Sequence, residues 1–180
     1  SGPAGTSMLG IEELSALSGA RQRNALRRAL RRLELPVAPG SCLTEIVERL
    51  VPARGDATPV VSWPGAEARR YRDNLFLLPT LPAVASSTDQ RLVPDHPVQL
   101  GPGLGALTLV EHDGSGIDPE LVGDGLSLRF RHGGESIRIG AGGATRTLKN
   151  LFQEEGVLPW MRERVPLLYA GKDLVAVADL

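Results

Sequence analysis

Apolar positions recur at helical spacing early in the chain and then give way to short alternating runs. Leu26, Ala29, Leu30 and Leu33 repeat every three or four residues, which predicts a helix from Leu17 to Leu33 with Ser18 as its N-cap. A second amphipathic helix is expected from about Leu43 to Leu50, with Leu43, Ile46, Val47 and Leu50 inward, Ser41 as its cap and Pro52 ending it. Val60 to Trp63, Glu67 to Tyr71 and Leu75 to Leu78 read as short strands, with Pro64-Gly65 and Asp73-Asn74 as the turns. Strand alternation puts Arg70 and Arg72 on one face and Arg69 with Tyr71 on the other.

Leu81 to Gln90 breaks the pattern with Pro, Ala and Ser. Beyond it, Leu107 to Val110, Leu126 to Phe130 and Ile137 to Ile139 are strand candidates. Thr147 caps a short helix that carries Leu148, Leu151 and Phe152 on one face and stops at Gly156. Pro159 suits the first position of a second short helix with Trp160, Met161, Arg162 and Arg164. Leu167 to Ala170 and Leu174 to Ala178, separated by Gly171-Lys172-Asp173, read as a hairpin. The fold class expected is α+β in two small domains. Residues 9–82 form a helix-plus-short-sheet module and residues 83–97 a linker. Residues 98–180 form a β-rich module with two short helices and a closing hairpin.

Composition narrows the function classes. No apolar run approaches a membrane span, and no signal peptide is visible in the 180 residues, so a cytoplasmic protein is expected. Cys42 stands alone, which excludes a disulfide framework and a thiolate metal cage. Aromatics make up 4%, too few for extended base stacking. The net charge of −1 hides an asymmetry: residues 1–82 carry net +3 and residues 83–180 net −4. Nucleic acid would meet the first part more readily, and any contact in the second must be local.

Arg21, Arg28 and Arg32 face away from the leucines of the first helix, with Arg23, Arg27 and Arg31 flanking on one side. Six arginines on one helix suit either phosphate contacts or a solvated face with intrahelical pairing. Glu34 is the only acid near the helix end, a shortage that favours phosphate. Gly140 to Gly143 feeds a helix start with Arg146 and Lys149 at hand, a phosphate site or simply a capped helix after a loop. It lacks the Gly-x4-Gly-Lys-Ser/Thr pattern of a nucleotide loop. The carboxylates from Asp113 to Glu120 lack EF-hand spacing, and His96, His112 and His132 lack zinc spacing. Trp160, Phe152 and Leu151 are expected in a core. Arg162 and Arg164 point to different sides, one open to a ligand and the other toward backbone or a carboxylate.

The stretch TLKNLFQEEGVLPWMRERVPLLYAGKDLVAV, from Thr147 to Val177, resembles the C-terminal domain of the bacterial tRNA(Ile)-lysidine synthetases. That family's pattern runs R-S-L-K-K-L-F-Q-E, a short gap, then V-P-P-W-x-R-x-R-x-P-L-L-Y. Arg146, Leu148, Lys149 and Leu151 to Glu154 match, as do Val157, Pro159, Trp160, Arg162, Arg164 and Pro166 to Tyr169. Thr147 replaces the Ser, Asn150 a Lys and Leu158 the first Pro. ARQRNALRRAL and RRYRDNLFLLP, within Leu14 to Pro82, are similar to the same family's substrate-binding domain, more loosely.

The resemblance implies tRNA as partner, and together with the placement of the cations it leads to an expected grip at two patches: Arg21, Arg28 and Arg32, and Arg146 with Lys149, helped by Arg162. It also implies an N-terminal catalytic domain that joins lysine to a wobble cytidine using ATP, through a Ser-Gly-Gly-x-Asp-Ser loop. That loop is not in this sequence; Ser18-Gly19-Ala20 comes nearest and opens the arginine helix. The chain is thus expected to be a tRNA-handling fragment with no catalytic residue, metal or cofactor of its own, while ATP and lysine serve the catalytic domain. A homodimer stays open. The alternative is a stand-alone protein-interaction module related to a domain of the phenylalanyl-tRNA synthetase β subunit.

Overall fold

The computed structural model describes residues 7–54, 57–84, 89–111, 114, 116–118, 125–138 and 143–178. The chain divides into two units, residues 1–81 and 82–180. In the first, β1 (Ser7–Gly10) leads directly into α1 (Ile11–Ser15), then α2 (Gly19–Arg32) and α3 (Gly40–Glu45). A π turn over Ile46–Leu50 continues α3. Three strands follow: β2 (Val60–Trp63), β3 (Ala66–Tyr71) and β4 (Asn74–Pro79). They pair antiparallel in the order β1-β4-β3-β2. Register places Leu9 beside Leu75, Ala68 between Val61 and Leu77, and Trp63 beside Ala66. This face meets Leu26, Leu30, Leu43, Ile46 and Leu50 from the helices in one buried core. The Trp63 Nε1–H donates to the Pro36 carbonyl at 3.0 Å.

The α2 helix ends where its periodicity ends, but without the expected residue type. Glu34 adopts φ 55°, Leu35 N donates to Leu30 O and Glu34 N to Arg31 O. That is a Schellman ending with Glu where Gly is usual. Three expectations shift here. The second helix begins at Gly40 with Pro39 as N-cap, because the Pro39 carbonyl accepts from Leu43 N at 3.0 Å; Ser41 lies inside the first turn. The β3–β4 turn is Arg72-Asp73, with Arg72 at φ 53°, and Asn74 already pairs with Tyr71. Pro64-Gly65 does form the β2–β3 turn. Gly65 needs its glycine twice, for φ 84° and because a Cβ would sit 2.8 Å from Pro36 Cγ.

The second unit is built on a four-stranded antiparallel sheet, β12-β11-β8-β5. Its strands are β5 (Gln90–Leu92), β8 (Leu126–Arg129), β11 (Leu167–Ala170) and β12 (Asp173–Val177). Two small ribbons accompany it, β6 (Val98–Gly101) with β7 (Gly105–Leu107), and β9 (Ser136–Arg138) with β10 (Thr145–Thr147). The main sheet is covered on both faces, so β11 reads as an unbroken apolar run. Leu168 joins Leu92, Leu126, Leu128 and Phe130 on one side. Leu167 joins Leu148, Phe152, Ile137 and Val177 on the other.

The helix expected from Thr147 is α4 (Leu148–Glu154). Thr147 Oγ1 accepts from Asn150 N at 3.3 Å. Gly156, at φ 67°, closes a second Schellman ending in which Val157 N donates to Phe152 O at 2.8 Å.

The second short helix is corrected. From Leu158 to Arg164 the chain makes successive i to i−3 turns, with Met161 N on Leu158 O and Arg164 N on Met161 O, both 2.8 Å. These are the tighter i to i−3 bonds of 3₁₀-type turns, not the i to i−4 bonds of an α-helix. Gln90–Leu92, expected in a linker, form β5. The strand expected over Leu107 to Val110 is β7, three residues ending at Leu107. The strand at Ile137 begins one residue earlier, at Ser136. Ser1 to Thr6, Asp113, Glu120, His112, Ile139 and the loop at Gly140 to Gly142 lie outside the described residues.

Candidate nucleic-acid interface

The α2 helix turns one face to the core and crowds its cations on the other. Leu26, Ala29 and Leu30 are buried, as is Gln22, whose Nε2 donates to Leu17 O at 3.0 Å. Arg21, Arg27, Arg28, Arg31 and Arg32 are exposed and Arg23 is half-buried. At about 100° per residue the exposed five span an arc of roughly 140°. Arg27 donates to Asn24 Oδ1 at 3.1 Å and Arg31 to the Arg27 carbonyl at 3.4 Å. Both are exposed bonds that a better acceptor displaces at little cost. None of the six forms an ion pair with a carboxylate among the described residues. Arg27 and Arg31, read from spacing as flanking, stand as exposed as Arg21, Arg28 and Arg32.

The other arginine cluster of this unit is structural. Arg70 is buried, and its Nη1 donates to the carbonyls of Leu50 (3.1 Å) and Val51 while Nε donates to Arg72 O at 3.1 Å. It caps the π turn, satisfying carbonyls that a helix end leaves orphaned. Arg69 makes a two-pronged pair with Glu67, at 2.8 and 3.2 Å. Arg72 lies over the Tyr71 ring, 5.1 Å from its centroid. Arg70 is the residue sequence reasoning missed. The only signal was its place on the inward face of β3, among residues otherwise apolar.

In the second unit most cations are already engaged. Arg129 bonds Asp89 at 2.9 Å and the Gly171 carbonyl at 3.2 Å, and covers the Tyr169 ring at 4.5 Å. The hydrogen bond from Arg129 holds the Asp89 carboxyl below its usual range. Burial, with the Glu135 charge, pushes the Tyr169 hydroxyl up. Arg131 stands 3.5 Å from Glu135 and 5.8 Å from the centre of Phe152. Burial alone would raise Glu135, but hydrogen bonds from backbone N–H groups, including those of His132 and Gly133, and the Arg131 charge hold it below the ordinary value.

The second expected patch is therefore small. Lys149 is exposed, with no carboxylate at ion-pair distance among the described residues. Arg146 Nη1 contacts Glu154 Oε2 at 2.7 Å, both side chains about half exposed. Arg162 is half-buried, and its Nε donates to Val157 O at 2.9 Å. Arg164 donates to the Pro82 carbonyl. Both thus bond backbone, and Glu154 goes to Arg146 instead. Trp160 is buried.

Comparison with known proteins gives this arrangement a family. Residues 9–76 match the TilS substrate binding domain and residues 126–180 the TilS substrate C-terminal domain. The tRNA(Ile)-lysidine synthase of Ralstonia nicotianae is 38% identical over 187 aligned residues, which cover 99% of this chain and 40% of that protein. That of Alkalilimnicola ehrlichii is 38% identical over 96% of this chain and 39% of its own length. That of Yersinia pseudotuberculosis is 34% identical over 96% of this chain and 41% of its own. The chain thus spans about 40% of the length of these relatives. Two domain matches in the same order, within relatives aligned over nearly the whole chain, place it: it belongs to the tRNA(Ile)-lysidine synthase family and carries the substrate-binding and C-terminal domains.

Proposed function

We propose that this chain is the tRNA-gripping portion of a tRNA(Ile)-lysidine synthase and that it binds RNA backbone rather than bases. The observation that carries this reading is the α2 face, where Arg21, Arg28 and Arg32 are exposed with Arg27 and Arg31 and meet no carboxylate among the described residues. Guanidinium groups in a row on a rigid helix suit successive phosphates, and such contacts position an RNA without reading its sequence. Arg146 and Lys149 supply a second, weaker patch. Arg162 takes a lesser part, because its Nε is committed to Val157. In this reading the ATP- and lysine-using chemistry resides in the family's catalytic domain, outside this chain. The alternative of a protein-interaction module is less favoured, because both domain matches and all three relatives point to the same ligase family.

The test is the triple change Arg21→Ala, Arg28→Ala and Arg32→Ala, with binding to an isoleucine tRNA transcript measured across a salt series. All three side chains are exposed, so folding should be unaffected. Losing three phosphate contacts should reduce the slope of log K against log salt by about two to three units. It should weaken binding by roughly 3 kcal/mol, about a hundredfold. A triple variant with unchanged affinity and unchanged slope would remove the reading.

A further inference from the structure

We propose that Glu154 competes with RNA for Arg146 and thereby sets how tightly the second patch holds a phosphate. This rests on Arg146 being a phosphate contact. Arg146 projects from β10, Glu154 ends α4 eight residues later, and the turn at Gly156 fixes where that helix stops. Nη1 and Oε2 meet at 2.7 Å, with the two side chains 49% and 56% exposed. A carboxylate offers a guanidinium the same paired oxygen acceptors that a phosphate does. An RNA phosphate approaching this edge of Arg146 must therefore displace or share it with Glu154.

Exposure makes the competitor weak. A pair this open to water holds loosely, so Glu154 lowers affinity without closing the patch. Salt dependence should carry the same mark. An arginine that trades a carboxylate for a phosphate leaves the carboxylate to gather a cation, so the exchange releases fewer ions in net than an unpaired arginine would. The α2 arginines, with no carboxylate partner among the described residues, carry no such handicap. One patch stands open, and the other is partly neutralised from within.

The experiment is a double-mutant cycle on the full chain, with an isoleucine tRNA transcript as probe. Glu154→Gln should tighten binding roughly two- to fivefold, the scale of an exposed ion pair, and steepen the salt slope by less than one unit. In an Arg146→Ala background the same change should do nothing. Glu154→Asp, which keeps the charge on a shorter stem, should fall between Gln and the parent, and Glu154→Ser repeats the test should the Gln variant fold poorly. An unchanged or weakened Glu154→Gln variant overturns the competition. A gain that persists without Arg146 also overturns it, since that would be general repulsion of RNA by an acid. If Arg146→Ala by itself leaves binding and salt slope unchanged, the underlying reading of Arg146 fails. If Arg146→Ala weakens binding but Glu154→Gln does not tighten it, the competition alone fails.

Discussion

Arg70 offers a direct test of which arginines in this protein hold the fold and which are free for a ligand. It is 6% exposed and donates to three carbonyls, those of Leu50, Val51 and Arg72. Replacing it with Met keeps most of the stem volume and removes every donor. Each orphaned carbonyl should cost about 1 kcal/mol, for a total near 3 kcal/mol. Relief of a buried charge that faces carbonyls, not a carboxylate, trims this toward about 2 kcal/mol. Arg70→Ala should lose about 1 kcal/mol more, because the stem leaves a cavity among Leu75 and its neighbours. Arg70→Lys, with one ammonium to divide among three acceptors, should lie between Met and the parent. Urea unfolding read by tryptophan fluorescence measures this. Trp63 lies in the first unit and Trp160 in the second, so a Trp160→Phe background isolates the signal. With a slope near 1 kcal/mol/M, the Met variant's midpoint should drop by about 2 M. An Arg70→Met protein within 0.5 kcal/mol of its parent would show that the capping bonds carry little, and the argument from orphaned carbonyls would fall.

Two further outcomes follow from local geometry. Glu34 is exposed at φ 55° in the α2 ending, so Glu34→Gly should stabilise the first unit by roughly 0.5–1 kcal/mol, the left-handed strain relieved less the added freedom of the unfolded chain; an unchanged or lowered urea midpoint would contradict it. Glu135 is held below its ordinary value of 4.5. A carboxylate depressed in the folded state contributes stability that is complete above its unfolded value and is lost as pH falls through the folded one. The second unit should therefore lose melting temperature below about pH 4.5, and Glu135→Gln should flatten that acid limb. A Gln variant with the parent's full acid limb would assign the loss to other groups.

Much of this architecture was legible because periodicity and punctuation agreed. The α2 stripe, the Pro64-Gly65 turn, the Thr147 cap, the Gly156 ending and the closing hairpin each had a residue type that the backbone demands. At the β3–β4 turn the structure departs from the reading, and there, as at the end of α2, the backbone adopts a demanding conformation without the usual residue. Glu34 and Arg72 occupy left-handed positions that nothing in their chemistry announces, held there by the helix ending and by the strand register. β1 and α1 escaped notice because four and five residues are too few for a period to show, and β1 exists only by pairing with β4. The turns after Pro159 looked helical because i to i−3 and i to i−4 spacing differ little over one turn. As for the interface, spacing alone separated the α2 arginines from the core. It could not show that Arg70 is consumed by carbonyls, that Arg162 is tied to Val157, or that Arg146 already has an anion beside it.

That distinction between free and consumed cations, more than the count of them, bears on how the proposed grip would work. Both units carry arginines in quantity, and the second carries them against a net charge of −4. There Arg129, Arg146, Arg162 and Arg164 each have a protein acceptor and Arg131 faces Glu135, and several join strand to turn or cover an aromatic ring. Apart from Arg146, whose pair is half exposed, their charges are spent on holding a β-rich module whose apolar clusters are small. The first unit needs few of its cations for packing. Its α2 face keeps five exposed on a helix anchored by Leu26 and Leu30 and closed by its own Schellman turn. On the proposed reading, long-range attraction and most of the salt-dependent affinity come from α2. The second unit then adds a short-range contact at Lys149 and Arg146, weak enough for one carboxylate to modulate.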